Sequence, residues 1–171
     1  LRTGVDSMVY YIDFSFDNLK LGGSAFAQSL DKIGKEVPTV QDSEYFANAF
    51  NAVQELINKE LILAGHDISA GGMITTMLEM NFANTEGGLE VSLDEIPEKD
   101  LIKILFSENP GILIQVEKTD EVEKILKKAG VAFIRLARPC DERHLLIHKD
   151  GADYQFFIDH LRDVWFESSY L

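Results

Sequence analysis

The passage from residues 61–64, LILA, through GHDISAGG into MITTMLEM restricts the fold more than any other segment of the chain. Four apolar residues in a row are short for a helix and sufficient for a buried strand. Met73, Ile74, Met77 and Leu78 then recur at helical spacing, and Phe82 extends the same face. The polar, glycine-containing stretch between them predicts a turn, so the order is strand, turn, helix. Such a unit needs a sheet to pair its strand and a helix layer to cover that sheet.

The rest of the chain supplies both. Val9, Tyr11 and Asp13 alternate with Tyr10, Ile12 and Phe14, which predicts a strand with at least one well-buried face. Ser24 is placed to cap a following helix and Gly34 to end it. Asp42 or Ser43 caps the next, about four turns long, whose apolar stripe is Phe46, Ala49, Phe50, Val53, Leu56 and Ile57. Leu89, Val91 and Leu93 alternate as a strand, and Pro97 suits the first turn of a helix running to about Phe106. ILIQVE reads as a strand, Thr119 as the cap of a helix bearing Val122, Ile125 and Leu126, Gly130 as its end, and VAFIRLA as the next strand. HLLIHK and DYQFF flank Asp150-Gly151, a strong hairpin signal, and a last short helix starts near Ile158. Two hairpin-like connections interrupt the crossovers, so the expected class is α+β with a mixed sheet rather than a doubly wound fold.

Charge and composition exclude several functions. Among 171 residues there are 29 acidic and 16 basic side chains, a net charge of -13 that repels a phosphate backbone, so nucleic acid is not the expected partner. The apolar runs fall far short of the roughly 20 residues that cross a bilayer, so no membrane span is expected. The lone Cys140 excludes an internal disulfide and suits a reducing compartment. A start at Leu1 and a finish just after VWFESSYL read as cuts within a longer polypeptide.

Chemistry concentrates in GHDISAGG. Asp67 is a hard oxygen ligand suited to magnesium, Ser69 can donate to a phosphate oxygen, and Gly71 and Gly72 let an anion approach backbone N–H groups near a helix start. The alternative is structural: Asp67 or Ser69 caps the helix and the glycines allow tight packing. His66 is open between direct chemistry and a satisfied structural role. LGGS, residues 21–24, is a second phosphate or ribose candidate, although neither GxxxxGK[ST] nor GxGxxG occurs. Glu108 in FSENPG either orients a loop, touches a ligand or stands solvated, and Glu79 is a supporting candidate behind the His-Asp turn. Cys140 follows Pro139 in an expected polar turn with no general base supplied by its neighbours. His144 and His148 share a strand face without a third ligand. No residue is assigned a catalytic role.

LGGSAFAQSL, LILAGHDISAGGMITTMLEMNFA, LFSENPGILIQVE and VWFESSYL, in this order and spacing, resemble the second C-terminal-type domain of the large phosphoribosylformylglycinamidine synthases, within the wider superfamily of aminoimidazole ribonucleotide synthetase-like ATP enzymes. The resemblance implies a three-layer α/β/α arrangement with partial ferredoxin-like topology. It implies a domain over residues 1–163 and an aromatic tail, 164–171, leading toward a glutaminase. The family converts formylglycinamide ribonucleotide, ATP and glutamine-derived ammonia to formylglycinamidine ribonucleotide through an iminophosphate-like intermediate.

Carried over by position, Asp67 matches a magnesium ligand of an auxiliary ATP/ADP site and Ser69 a nucleotide contact, while His66, Gly71 and Gly72 match as motif members. Ala70 stands where the family commonly has an acidic residue, and Gly65 where it often has an aromatic one. The implied partners are the preceding synthase domains and the following glutaminase of the same chain, in the cytoplasm. The segment alone is expected to lack synthase and glutaminase activity and to self-associate through surfaces bared by excision. Two other readings stand beside this one: a domain of another superfamily ATP enzyme, and a mainly structural interface module.

Overall fold

In the computed structural model, which describes residues 1–169, β1 (Met8–Asp13) is an inner strand buried on both faces. It pairs antiparallel with β4 (Gly111–Val116) on one side and β5 (Phe133–Cys140) on the other. β2 (Ala64–Asp67) adds outside β4 as one sheet edge. Beyond β5 come β3 (Gly88–Ser92), β6 (His144–Lys149) and β7 (Ala152–Phe157), giving the order β2-β4-β1-β5-β3-β6-β7. Among the described residues, only β3 and β6 pair in parallel. The sheet is therefore mixed and the class α+β, as expected.

Helices cover both faces. α2 (Ser43–Asn58) and α5 (Thr119–Lys128) pack Ala49, Val53, Leu56, Val122 and Leu126 over Tyr10, Ile12 and Ile114. α3 (Gly72–Phe82), α4 (Leu101–Phe106) and α6 (Ile158–Ser169) cover the opposite face, where Met77, Ile104 and Ile158 join Val9, Leu113, Leu89 and Leu145. Each buried Leu or Ile contributes about 1.5–3 kcal/mol of transfer free energy, and such residues seal β1 and β4 from both sides, whereas β7 stays exposed. The path β1-α2-β2-β4-α5-β5 with order β2-β4-β1-β5 is the ferredoxin-like part. The segment from α3 through α4 is inserted within it and forms most of the second helix layer.

Several boundaries depart from the sequence reading for identifiable reasons. The strand expected over residues 61–64 begins at Ala64 instead, because Leu61 N–H closes α2 by donating to Leu56 O at 3.0 Å while Glu60 adopts φ 56°. That left-handed helix end consumes the start of the apolar run and shifts pairing onto Gly65, His66 and Asp67. α2 buries Ala49, Ala52, Val53 and Leu56, whereas Phe50 and Ile57 remain about half exposed at 48% and 50%. The small alanines set the contact line and turn the larger side chains outward.

α1 (Ala25–Ser29) is capped by Ser24 but is short and stops before Gly34. Asp42 caps α2 through Glu44 N and Tyr45 N. α4 starts at Leu101 with Asp100 as its cap, four residues after Pro97. α5 begins with Thr119 itself, so this residue does not cap it. Pro139 and Cys140 finish β5 rather than lying in a turn. The hairpin is as expected, with Asp150 and Gly151 at φ 50° and 79°. α6 spans residues on both sides of the 163/164 division, and Trp165 lies 5.7 Å from Phe82 between ring centroids. Tyr170 and Leu171 fall outside the described residues.

Candidate functional site

β2 is an edge strand, so the residues that follow it leave the sheet at its rim. Asp67 is its last residue, opposite Ile112 of β4. Its main chain is held from two sides: the carbonyl accepts from Thr76 Oγ1 at 3.1 Å and lies 2.8 Å from His66 Nδ1. Its carboxylate points outward, with the side chain 76% exposed and His66 Nδ1 at 3.7 Å. The arrangement is a fixed backbone carrying an open oxygen donor.

Ile68 anchors the next step by burying its side chain and donating its N–H to Gly111 O at 2.8 Å. Ser69 is exposed, and its carbonyl accepts from Gly72 N at 3.0 Å. α3 then starts without a side-chain cap, Gly71 standing at its N-cap with φ 89°. Asp67 and Ser69 therefore do not cap the helix.

The glycine pair has a steric cause. A Cβ on Gly72, at φ 73°, would lie 2.7 Å from Leu105 O and 2.8 Å from Phe106 Cα, so α3 begins in backbone contact with the end of α4. The close packing expected as the alternative is present, against a helix rather than the sheet.

His66 turns toward α3, where its Nε2 lies 3.3 Å from Glu79 Oε2. The imidazole thus stands between the Asp67 carbonyl and a helix carboxylate, a placement that favours the structural role. Glu79 supports the turn through it.

Glu108 is the residue whose part sequence reasoning left open and the structure makes plain. Its Oε1 accepts from Gly71 N at 2.9 Å and from Ala25 N at 2.8 Å. Its partners lie 37 and 83 positions away, so no local pattern identifies them.

The LGGS loop is brought to the same neighbourhood by this bond. Gly22 N donates to Glu36 O and Gly23 N to Ile33 O, and a Cβ on Gly22 would overlap Glu36 O. The glycines of this loop are thus engaged in folding residues 32–37 back upon it. An open groove of about 630 Å³ runs along this side, lined by Leu21, Phe26, Leu30, Lys32 and Lys103 rather than by Asp67.

A marked electrostatic perturbation lies in a separate cluster. The Glu123 carboxyl is drawn down to about 2 by the Lys127 ammonium, with the Tyr10 hydroxyl and Arg135 adding to the effect. Burial and the Glu123 bond push Tyr10 up to about 12. This cluster ties α5 to β1 and β5. Among the described residues, no group of three or more His, Cys, Asp or Glu side chains is placed to hold a metal ion.

A ferredoxin-like sheet with an inserted helix layer, presenting the outward Asp67 carboxylate beside a glycine-paired helix start, defines the class: a three-layer α+β domain with an open polar turn at its edge. Within that class, the chain belongs to the family described as AIR synthase related protein, C-terminal domain, which residues 9–145 match. It is 34% identical over 171 residues to the probable phosphoribosylformylglycinamidine synthase, chloroplastic/mitochondrial, of Arabidopsis thaliana, covering 98% of this chain and 12% of that protein. It is 31% identical over 166 residues to phosphoribosylformylglycinamidine synthase of Homo sapiens, covering 94% of this chain and 12% of that protein. The chain thus spans about an eighth of the length of these curated relatives.

The fold is also that of Thermotoga maritima PurL. The structure complexed with ATP matches with a TM-score of 0.70 at 15% identity, over 94% of this chain and 26% of that one. The structure complexed with FGAR matches with a TM-score of 0.69 at 19% identity, over 94% and 28%.

Proposed function

We propose that this chain works as the second C-terminal-type domain of a phosphoribosylformylglycinamidine synthase, in which it forms one wall of an auxiliary magnesium-nucleotide site. The carrying observation is the Asp67 carboxylate, 76% exposed on a main chain fixed by Thr76 and His66. Magnesium keeps several waters and takes one or two protein carboxylates together with phosphate oxygens. One hard donor therefore fits a shared site and would not fit a complete protein cage.

In this reading Asp67 is the metal ligand and Ser69 donates to the nucleotide, ATP or ADP. Gly71 leaves the approach to the turn free of a side chain, while Gly72 is buried and lets α3 begin against α4, and the two amides are engaged by Glu108 and by Ser69 O. When bound, magnesium neutralises phosphate charge. Thr76, His66 and Glu79 hold the turn so that Asp67 needs no reorganisation when the ligand arrives. The parent enzyme would make formylglycinamidine ribonucleotide from formylglycinamide ribonucleotide, ATP and glutamine-derived ammonia, and the chain supplies no catalytic group to that step. Its partners are the preceding synthase domains and a following glutaminase of the same polypeptide. A cytoplasmic setting suits the free Cys140 thiol.

The test is Asp67→Ala in the full-length synthase. Nucleotide retained through purification should fall at least tenfold, and unchanged content would overturn the assignment. The 171-residue chain alone should form no product from ATP, ammonia and formylglycinamide ribonucleotide, and measurable turnover would overturn its status as a part.

A scaffold role accompanies this one. Phe157, Val164, Trp165 and Phe166 are each more than 40% exposed around β7 and α6. Hydrogen exchange should find this end better protected in the full-length enzyme than in the isolated chain.

A further inference from the structure

The strand-side turn that carries Asp67 is held by a segment distant in sequence, Ser107-Glu108-Asn109, between α4 and β4. Glu108 Oε1 receives the N–H of Gly71 at 2.9 Å, at the start of α3, and the N–H of Ala25 at 2.8 Å, at the start of α1. Its neighbours extend the grip. Lys20 N donates to Ser107 Oγ at 3.2 Å and to Asn109 Oδ1 at 3.3 Å, and Ser107 Oγ donates back to Lys20 O at 3.1 Å. Asn109 Nδ2 donates to Ser15 Oγ and to Asn18 O, each at 3.1 Å. Ser107 and Asn109 are 3% and 1% exposed, so this part of the clasp is dry.

Three consecutive side chains thus join the 15–20 loop, the LGGS loop and the HDIS turn. Bonds from backbone N–H to a carboxylate are roughly twice as strong as neutral ones. The carboxylate also sits at the N-terminal end of α3, where a helix favours negative charge. α3 has no side-chain cap of its own, and Glu108 binds the amide of its N-cap residue, Gly71, from outside the helix. The Gly71 amide is then occupied by an internal anion. Phosphate recognition on this turn is left to the Asp67 carboxylate, through a cation, and to the Ser69 hydroxyl.

We infer that Glu108 is a positioning residue for the nucleotide site: by accepting from Gly71 and Ala25 together, it locks the two glycine-rich turns into one rigid edge and sets the direction in which Asp67 and Ser69 face. The inference rests on the magnesium-nucleotide reading of Asp67. It adds a residue that touches neither metal nor nucleotide.

The test uses the full-length synthase stripped of nucleotide, with magnesium-ADP binding measured by calorimetry. Glu108→Ala removes both bonds, and Glu108→Asp is one methylene too short to reach both. Each should bind about tenfold more weakly. Glu108→Gln keeps an oxygen acceptor in place and should stay within about threefold of wild type. Asp42→Ala, which uncaps α2 in the opposite helix layer, serves as a destabilised control and should bind as wild type does.

Wild-type affinity in Glu108→Ala, or a Gln variant no better than Ala, would overturn the inference. If wild-type enzyme fails to bind magnesium-ADP, the Asp67 site is refuted and the binding role of Glu108 falls with it. The clasp is then judged separately by amide exchange in the unmodified enzyme. Gly71 and Ala25 should exchange at least tenfold more slowly than unprotected amides, and free exchange at either would show that the clasp is not formed.

Discussion

Replacing Gly72 by alanine separates backbone strain from steric overlap at the Asp67 turn, with Gly130 as the reference. Both glycines lie at positive φ, 73° and 68°. An added Cβ at Gly130 meets nothing within 4 Å, whereas at Gly72 it would lie 2.7 Å from Leu105 O and 2.7 Å from Phe106 C. Gly130→Ala should therefore cost only the left-handed penalty, about 1–2 kcal/mol. Gly72→Ala carries the same penalty plus overpacking of about 1–3 kcal/mol, for a total of about 2–5 kcal/mol. The overlapped atoms are backbone, so relief requires α3 and α4 to separate and cannot come from a side-chain rotation. Urea unfolding with linear extrapolation measures both variants, and an unchanged slope would confirm that the native and unfolded states are otherwise the same. Equal midpoints for the two variants would refute the packing argument and return Gly72 to a purely ligand-facing role.

Three further outcomes follow from other parts of the fold. Glu123 is lowered from 4.5 to about 2 by Lys127, Tyr10 and Arg135, so it contributes stability above pH 4.5 that is lost as pH falls toward 2. Glu123→Gln should flatten that acid limb in denaturation curves, and superimposable limbs would show that the cluster is not formed. Asp42→Ala deletes the acceptor for Glu44 N and Tyr45 N and should cost about 1 kcal/mol in the same assay, an unchanged midpoint arguing against the cap. Gly151→Val puts a β-branched residue at φ 79° in the β6–β7 turn. Its cost should be about 1–2 kcal/mol, read as a lower thermal midpoint, and an unaltered midpoint would mean that the turn adopts another conformation.

Elements whose information is local were legible in the chain. The Asp150-Gly151 hairpin, the Ser24 and Asp42 caps, and the helix carrying Met73, Ile74 and Met77 each depend on a few neighbouring residues, and each appears where it was expected. The α+β class and the motif resemblance were likewise readable, because alternation and spacing survive without knowledge of partners. Boundaries were less so. The strand read at residues 61–64 slid to Ala64–Asp67 because the close of α2 competed for Leu61, and two local rules applied to one residue. The half-exposure of Phe50 and Ile57 depends on how closely Ala49 and Ala52 approach the sheet, a distance the helix period does not contain.

The site divides in the same way. Residue chemistry alone marked Asp67 and Ser69 as donors and Gly71-Gly72 as a place without side chains. Only the tertiary structure decided that Asp67 faces out while its carbonyl is bound, that His66 is engaged with Glu79, and that Gly72 is required by α4. It alone gave Glu108 its two amides, from Gly71 and Ala25. The physical reason is range: propensity, capping and alternation act over a few residues. A carboxylate finds donors 37 and 83 positions away only after the sheet and the helices packed on it have carried them to one place.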